Sequence, residues 1–127
     1  MIKGIHHIAI ICSDYASSKH FYTQILGLKI LRENYRESRS SYKLDLEVNG
    51  KYIIELFSFE DAPERLSQPE AVGLRHLAFV VDDLDKIIVE LKTKGIESEK
   101  IRVDEFTGKR FTFINDPDKL PIELYEE

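Results

Sequence analysis

The sequence predicts an α+β chain built from two consecutive βαβββ modules, and three observations predict it. The chain repeats itself: His7-Ile8-Ala9-Ile10-Ile11 aligns with His76-Leu77-Ala78-Phe79-Val80, and the same shift places Asp14 on Asp83. Near the end of each half, Ile54-Glu55-Leu56-Phe57 aligns with Ile122-Glu123-Leu124-Tyr125. Between these ends, helical periodicity gives way to strand periodicity in the same order twice.

The elements follow from local chemistry. Lys3–Cys12 is an apolar, strand-like run. Ser13 or Asp14 can cap the next helix, because a short side-chain oxygen accepts from the free amides of its first turn. Tyr15, Phe21, Tyr22, Ile25 and Leu26 stand at helical spacing, and Gly27 suits the position after the helix, where φ is positive. Leu28–Tyr35 reads as a strand. Tyr42, Leu44, Leu46 and Val48 alternate with Lys43, Asp45 and Glu47, the pattern of a half-buried strand. Asn49-Gly50 predicts a hairpin turn into a strand over Tyr52–Phe59.

Residues 60–72 hold two prolines and read as a linker, so the repeats span about 1–59 and 73–127 of a single domain. The second half then repeats the order. Leu74–Val81 is a strand, and Asp82 or Asp83 is the cap. Leu84, Ile87, Ile88 and Leu91 form one helix face, which Gly95 terminates. Strands follow at Ile96–Glu105, Lys109–Asn115 and Leu120–Tyr125, with a turn at Asp116-Pro117-Asp118.

Composition narrows the function. The chain has 127 residues, 43% hydrophobic and 32% charged, as in soluble globular domains and unlike disordered or fibrous chains. A net charge of −5 leaves no basic surplus to neutralise phosphates, so no nucleic-acid partner is expected. There is no membrane-length apolar run and no signal-peptide pattern at the N-terminus, so no membrane partner is expected. One cysteine, Cys12, permits no intrachain disulfide and fits the cytoplasm. It reads as a small buried hydrophobe. His6 reads as structural or solvent-facing, and His20 as exposed.

Polar residues inside apolar strands carry the chemical signal. Glu55 sits in a segment apolar on both faces, and Glu123 lies between Ile122 and Leu124. A carboxylate there loses hydration and needs a partner. His7 and His76 pose the same problem at equivalent positions. If the repeats bring the four together, two imidazoles and two carboxylates suit one divalent transition metal: zinc, nickel, cobalt, manganese or iron. Four protein ligands on a six-coordinate ion leave two positions for water or substrate, as catalysis requires. Arg36, Arg39, Lys43, Lys109 and Arg110 are candidate anchors for an anionic substrate, with Arg110, on a strand between aromatic residues, the first choice.

These marks resemble the vicinal oxygen chelate superfamily, the glyoxalase I-like fold. They are His7-x-Ala9 with Asp14, Phe21-Tyr22 with Leu26-Gly27, Ile54-Glu55-Leu56, His76-Leu77-Ala78-Phe79, and Asn115-Asp116-Pro117-Asp118 with Ile122-Glu123-Leu124. The closer similarity, in YRESR, NGKYIIELFSF, GLRHLAFVVDD and KRFTFINDPD, is to short bacterial members of the YaeR type. The resemblance implies a cupped, incomplete β-barrel of the glyoxalase/bleomycin resistance/dioxygenase fold, with His7, Glu55, His76 and Glu123 as metal ligands. It implies a homodimer, with the metal site closed within one chain or shared between two. It implies a lyase or isomerase acting on a small α-oxo or α-hydroxy compound, such as a thiol adduct, through a metal-stabilised enediolate, with Glu123 or Glu55 as the base.

The superfamily also contains extradiol dioxygenases, fosfomycin-type transferases and hydrolases, epimerases and non-catalytic binding proteins. Two departures count against glutathione as cosubstrate: Ile11 stands where glyoxalase I has an arginine, and Phe59 where it often has an asparagine. A third is Lys119, where a glycine often follows the DPD turn.

Overall fold

The computed structural model describes residues 1–59 and 61–127. Glu60, the first residue of the expected linker, lies outside the described residues. The chain divides into two compact units, Met1–Glu64 and Arg65–Glu127. The boundary falls inside the expected linker.

The first unit runs β1 (Ile8–Cys12), α1 (Tyr15–His20), β2 (Lys29–Arg36), β3 (Ser41–Val48) and β4 (Lys51–Ser58). The second runs β5 (Leu77–Val81), α2 (Leu84–Thr93), β6 (Arg102–Val103), β7 (Arg110–Asn115) and β8 (Pro121–Glu126). Both are βαβββ, as the repeat predicts. The sheets are open and share one topology, β1-β4-β3-β2 and β5-β8-β7-β6. In each, the first strand pairs in parallel with the last, and the other pairings are antiparallel.

Each sheet buries one face. Ile10, Cys12, Leu44, Leu46, Ile54 and Leu56 are buried in the first, together with Phe21 and Tyr22 of the helical segment. Leu77, Ile114, Ile122 and Leu124 are buried in the second, with Leu84 and Leu91 of α2. Period-2 alternation then turns Glu55, Phe57, Phe113, Glu123 and Tyr125 to the other, half-exposed face.

The caps resolve in the same way in both halves. Asp14 accepts from Ser17 N, and Asp83 from Lys86 N, each at 3.0 Å. Asn49 and Gly50 take φ of 50° and 80° between the paired residues Val48 and Lys51, a two-residue hairpin turn.

Four expectations need correction. The strands expected from Lys3 and Leu74 begin at Ile8 and Leu77, because only from there does the last strand of each unit supply partners. The first helix is regular only to His20 and continues as a wider π turn over Phe21–Ile25, closed by Leu26 N to Phe21 O at 2.9 Å. The long strand expected at Ile96–Glu105 is a regular strand only at Arg102–Val103, with a separate backbone bond from Glu99 N to Phe113 O at 2.9 Å. Asp45 does not face water: its side chain is fully buried.

Lys119 keeps the turn by adopting φ of 66°. A side chain at that φ costs roughly 1–2 kcal/mol, partly offset by the greater unfolded-state freedom of glycine. Lys119→Gly is therefore expected to raise stability by about 0.5 kcal/mol, read as a higher urea midpoint with unchanged slope.

Candidate metal and substrate site

Each unit builds a histidine–glutamate pair by the same local rule. In the parallel pairing of first and last strands, Ala9 lies opposite Glu55 and Ala78 opposite Glu123. The histidine two residues before each alanine projects to the same side. An alanine opposite the glutamate leaves room for the imidazole and the carboxylate to meet. His7 Nε2 stands 3.7 Å from Glu55 Oε2, and His76 Nε2 stands 3.0 Å from Glu123 Oε2. The glutamate side chains are 15% exposed in both units, and the histidines 33% and 26%.

Both imidazoles turn the same nitrogen to the carboxylate. Nδ1 of His7 lies 2.7 Å from His6 Nδ1, and Nδ1 of His76 lies 3.5 Å from Arg75 Nη1. His6, read from sequence as structural or solvent-facing, is exposed and orients the His7 ring.

The donor set fits a divalent ion. Ligands roughly 2.1 Å from one ion at right angles are about 3 Å apart, close to the His76–Glu123 separation. The same contact is a charge-assisted hydrogen bond when His76 is protonated. Among the described residues no group of three or more His, Cys, Asp or Glu side chains stands close enough to hold one ion. Each unit therefore presents one histidine–glutamate pair.

The two pairs differ in their surroundings. In the first, Asp45 lies opposite Glu55 in the ladder. It is bound by Arg32 Nε at 3.0 Å, by Lys43 Nζ at 2.9 and 3.1 Å, and by the Tyr52 hydroxyl at 2.7 Å. Burial pushes the Asp45 carboxyl up, but the hydrogen bonds from Tyr52, Lys43 and Arg32 together outweigh it and hold the group below its usual range.

Tyr52 Oη also lies 3.1 Å from Glu55 Oε2, and Lys43 Nζ lies 3.4 Å from the same oxygen. The Tyr52 ring stacks on His7 at 5.1 Å with planes 5° apart. Burial, then the two carboxylates, raises the Tyr52 phenol far above its usual range, so it stays a donor. Sequence reading missed Tyr52. The register shift between Leu46 and Glu47, where β4 carries Ile53 as an extra residue, turns Tyr52 to the Glu55 face.

In the second unit the position opposite Glu123 is Phe113, whose ring meets His76 edge-on at 5.1 Å. A phenyl wall here replaces the charged network.

The candidate anchors separate. Arg36 lies over the Phe57 ring at 4.7 Å and donates to Ser41 Oγ at 3.2 Å. Arg39 is exposed beside Ser40 and Phe59. Lys43 is engaged by Asp45, and Lys109 is exposed.

Arg110, the first choice from sequence, binds carboxylates of its own unit: Glu126 at 2.8 and 2.9 Å and Asp85 at 3.0 Å. The Arg110 guanidinium, helped by the Leu84 amide, lowers the Glu126 carboxyl to about 2. A depressed carboxyl stabilises the fold above its unfolded pKa, near 4.3, and loses that contribution as pH falls toward the folded value. Arg110→Gln is expected to flatten the stability loss between pH 5 and 2, measured by urea unfolding across that range.

The positions that depart from glyoxalase I are apolar in space as well. Ile11 is 53% exposed, on the same side of β1 as His7 and Ala9. The Phe59 ring lies 5.7 Å from that of Phe57. No helix is long and apolar enough to cross a membrane among the described residues.

Comparison with known proteins agrees with this architecture. The chain is 65% identical over 127 residues to the uncharacterized protein YwkD of Bacillus subtilis, covering 100% of this chain and 99% of that protein. It is 60% identical over 126 residues to the uncharacterized protein YaeR of Escherichia coli, covering 99% and 98%. A solved glyoxalase family protein from Enterococcus faecalis superposes with a TM-score of 0.90 at 49% identity, covering 98% of each chain.

At low identity, the lactoylglutathione lyase of Schizosaccharomyces pombe is 24% identical over 97% of this chain, which spans 47% of that protein. The fosfomycin resistance protein FosX of Listeria monocytogenes, solved with Mn(II), shares the fold with a TM-score of 0.77 at 21% identity, covering 100% of this chain and 94% of that one. Residues 4–124 match the Glyoxalase/Bleomycin resistance protein/Dioxygenase superfamily, and the chain belongs to it.

Proposed function

We propose that the protein is a divalent-metal-dependent lyase or isomerase acting on a small α-oxo or α-hydroxy compound. The observation that carries this reading is the matched pair of half-sites, His7–Glu55 and His76–Glu123, built at the same register in both units. His7, Glu55, His76 and Glu123 would hold one ion, with Nε2 of each histidine facing it. The two half-sites close within a chain or between the two chains of a homodimer. A bound zinc, nickel, cobalt, manganese or iron ion would supply Lewis acidity and open coordination positions for substrate oxygens.

The unlike surroundings divide the work of the two glutamates. Glu55 is held by the Tyr52 hydroxyl and the Lys43 ammonium, and acts as the fixed anionic ligand. Glu123 is bordered by His76 and the Phe113 ring, and is the carboxylate able to swing to a substrate C–H and take its proton. Ile11 and Phe59 replace the polar groups of a glutathione site, which favours a cosubstrate other than glutathione or none.

Proton abstraction from carbon leaves an isotopic trace. Metal-loaded protein would be incubated in D2O with methylglyoxal and a panel of small thiols that includes carboxylate-bearing ones. Deuterium in the hydroxy-acyl product is expected, strongly reduced in Glu123→Gln and less so in Glu55→Gln. Turnover without dependence on either glutamate, or oxygen uptake with catechols in its place, contradicts the reading.

A further inference from the structure

The second unit contains a recess of about 120 Å³ that opens beside His76 and is lined by Arg65, Arg75, Arg102 and Phe113, with Glu70 and Glu99 at its walls. Its charge is unbalanced. Arg75 pairs with Glu70 at 2.7 Å, and Arg102 reaches Glu99 only at 3.4 Å. Arg65 binds neutral acceptors: Ser67 Oγ at 2.8 Å and the carbonyls of Leu74 and Arg75 at 3.0 and 3.1 Å. Three guanidinium groups thus face two carboxylates.

Arg102 is held over the Phe111 and Phe113 rings at 5.0 and 5.5 Å, which fixes the guanidinium without neutralising it. Its side chain stays 55% exposed, with donors available to a ligand. Phe113 also touches His76, so a continuous floor runs from Arg102 to the half-site.

We propose that this recess binds the anionic head of the substrate, with Arg102 as the principal anchor and Arg65 as the second. The head is a carboxylate or a phosphonate, whose paired oxygens suit a guanidinium fork. The recess is open on one side, and its volume of about 120 Å³ takes the head of an acid of a few heavy atoms. The substrate is then an acid whose oxo or hydroxy group points to His76. The inference rests on the proposed metal-site reading for the direction of the substrate, but anion binding itself needs no ion.

The test uses metal-free protein and NMR of the arginine Nε–H groups. Pyruvate and methylphosphonate are titrated as probes, with hydroxyacetone as the neutral control. Saturable shifts at Arg102 and Arg65 are expected with the anions and not with hydroxyacetone. The tighter anion identifies the head group.

Binding is expected to weaken at least tenfold in Arg102→Gln and to be unchanged in Lys86→Gln, which removes an exposed helix charge. Spectral dispersion checks that both variants fold. No saturable shift with either anion, or equal binding by Arg102→Gln, overturns the proposal. Cobalt(II) uptake is measured alongside: anion binding without cobalt uptake leaves the recess standing and contradicts the metal reading, and cobalt uptake without anion binding does the reverse.

Discussion

Exchanging His76 for alanine is expected to weaken divalent-metal binding at least a hundredfold, beyond the 10–100-fold typical of losing a group outside the ligand set. His7→Ala is expected to match it, although the two residues lie in different units. That equality is the distinctive part. If each half-site worked alone, His7→Ala would leave the His76–Glu123 pair unaffected. If one ion takes both pairs, either change removes a quarter of the protein ligands and the remaining three hold the ion more weakly. Cobalt(II) titration followed by its visible absorption checks this, with the fold monitored by circular dichroism. Both histidines are partly exposed and sit just before their strands, so neither change opens a cavity in the core.

Asp45→Asn is expected to destabilise the first unit by about 2–3 kcal/mol at neutral pH, the range for losing hydrogen bonds to a charged group and leaving its partners unmatched. The carboxylate is fully buried and takes contacts from Arg32, Lys43 and Tyr52. Asparagine keeps the shape but loses the charge, and its amide presents donors to groups that already donate. The effect has a sign in pH. The Asp45 carboxyl is depressed in the folded state, so its contribution is present above the unfolded pKa, near 3.9, and fades as pH falls through the folded value. Urea midpoints of wild type and Asp45→Asn are expected to differ most near neutrality and to converge in acid. The variant also frees Lys43 and Tyr52 to turn wholly to Glu55, so metal affinity is expected to shift with stability. Tyr52→Phe separates the two effects by removing the shared hydroxyl alone.

The repeat makes much of the fold legible. A histidine and a glutamate at matched positions, an aspartate cap after each first strand and a glycine after each helix appear twice in one chain. The coincidence of four polar residues at equivalent offsets marks the two histidine–glutamate pairs in the residue order itself. Single-position features are not legible in the same way. Asp45 sits in an alternating pattern identical to that of a solvent-facing strand. Only the pairing of β3 with β4 shows that its face carries Glu55 and Tyr52. Tyr52 reaches that face through one extra residue in the ladder, which no periodicity reveals. Arg110 looks free in the sequence because its partners, Asp85 and Glu126, are 25 and 16 residues away. Arg102 is hidden in a segment that reads as an ordinary strand, yet the aromatic rings of β7 hold it in place. Local pattern records what each element needs, and pairing between distant elements decides which charges remain available.

Metal content shows whether the two histidine–glutamate pairs hold one ion together. Untagged protein would be stripped with chelator, reconstituted with each candidate divalent ion, desalted and analysed for elements, beside Glu123→Gln and His7→Ala. About one ion per chain is expected in the wild type, with a large loss in both variants, one from each unit. Failure of the wild type to retain any ion above the histidine pKa would contradict a shared ion, as would retention unchanged by either substitution.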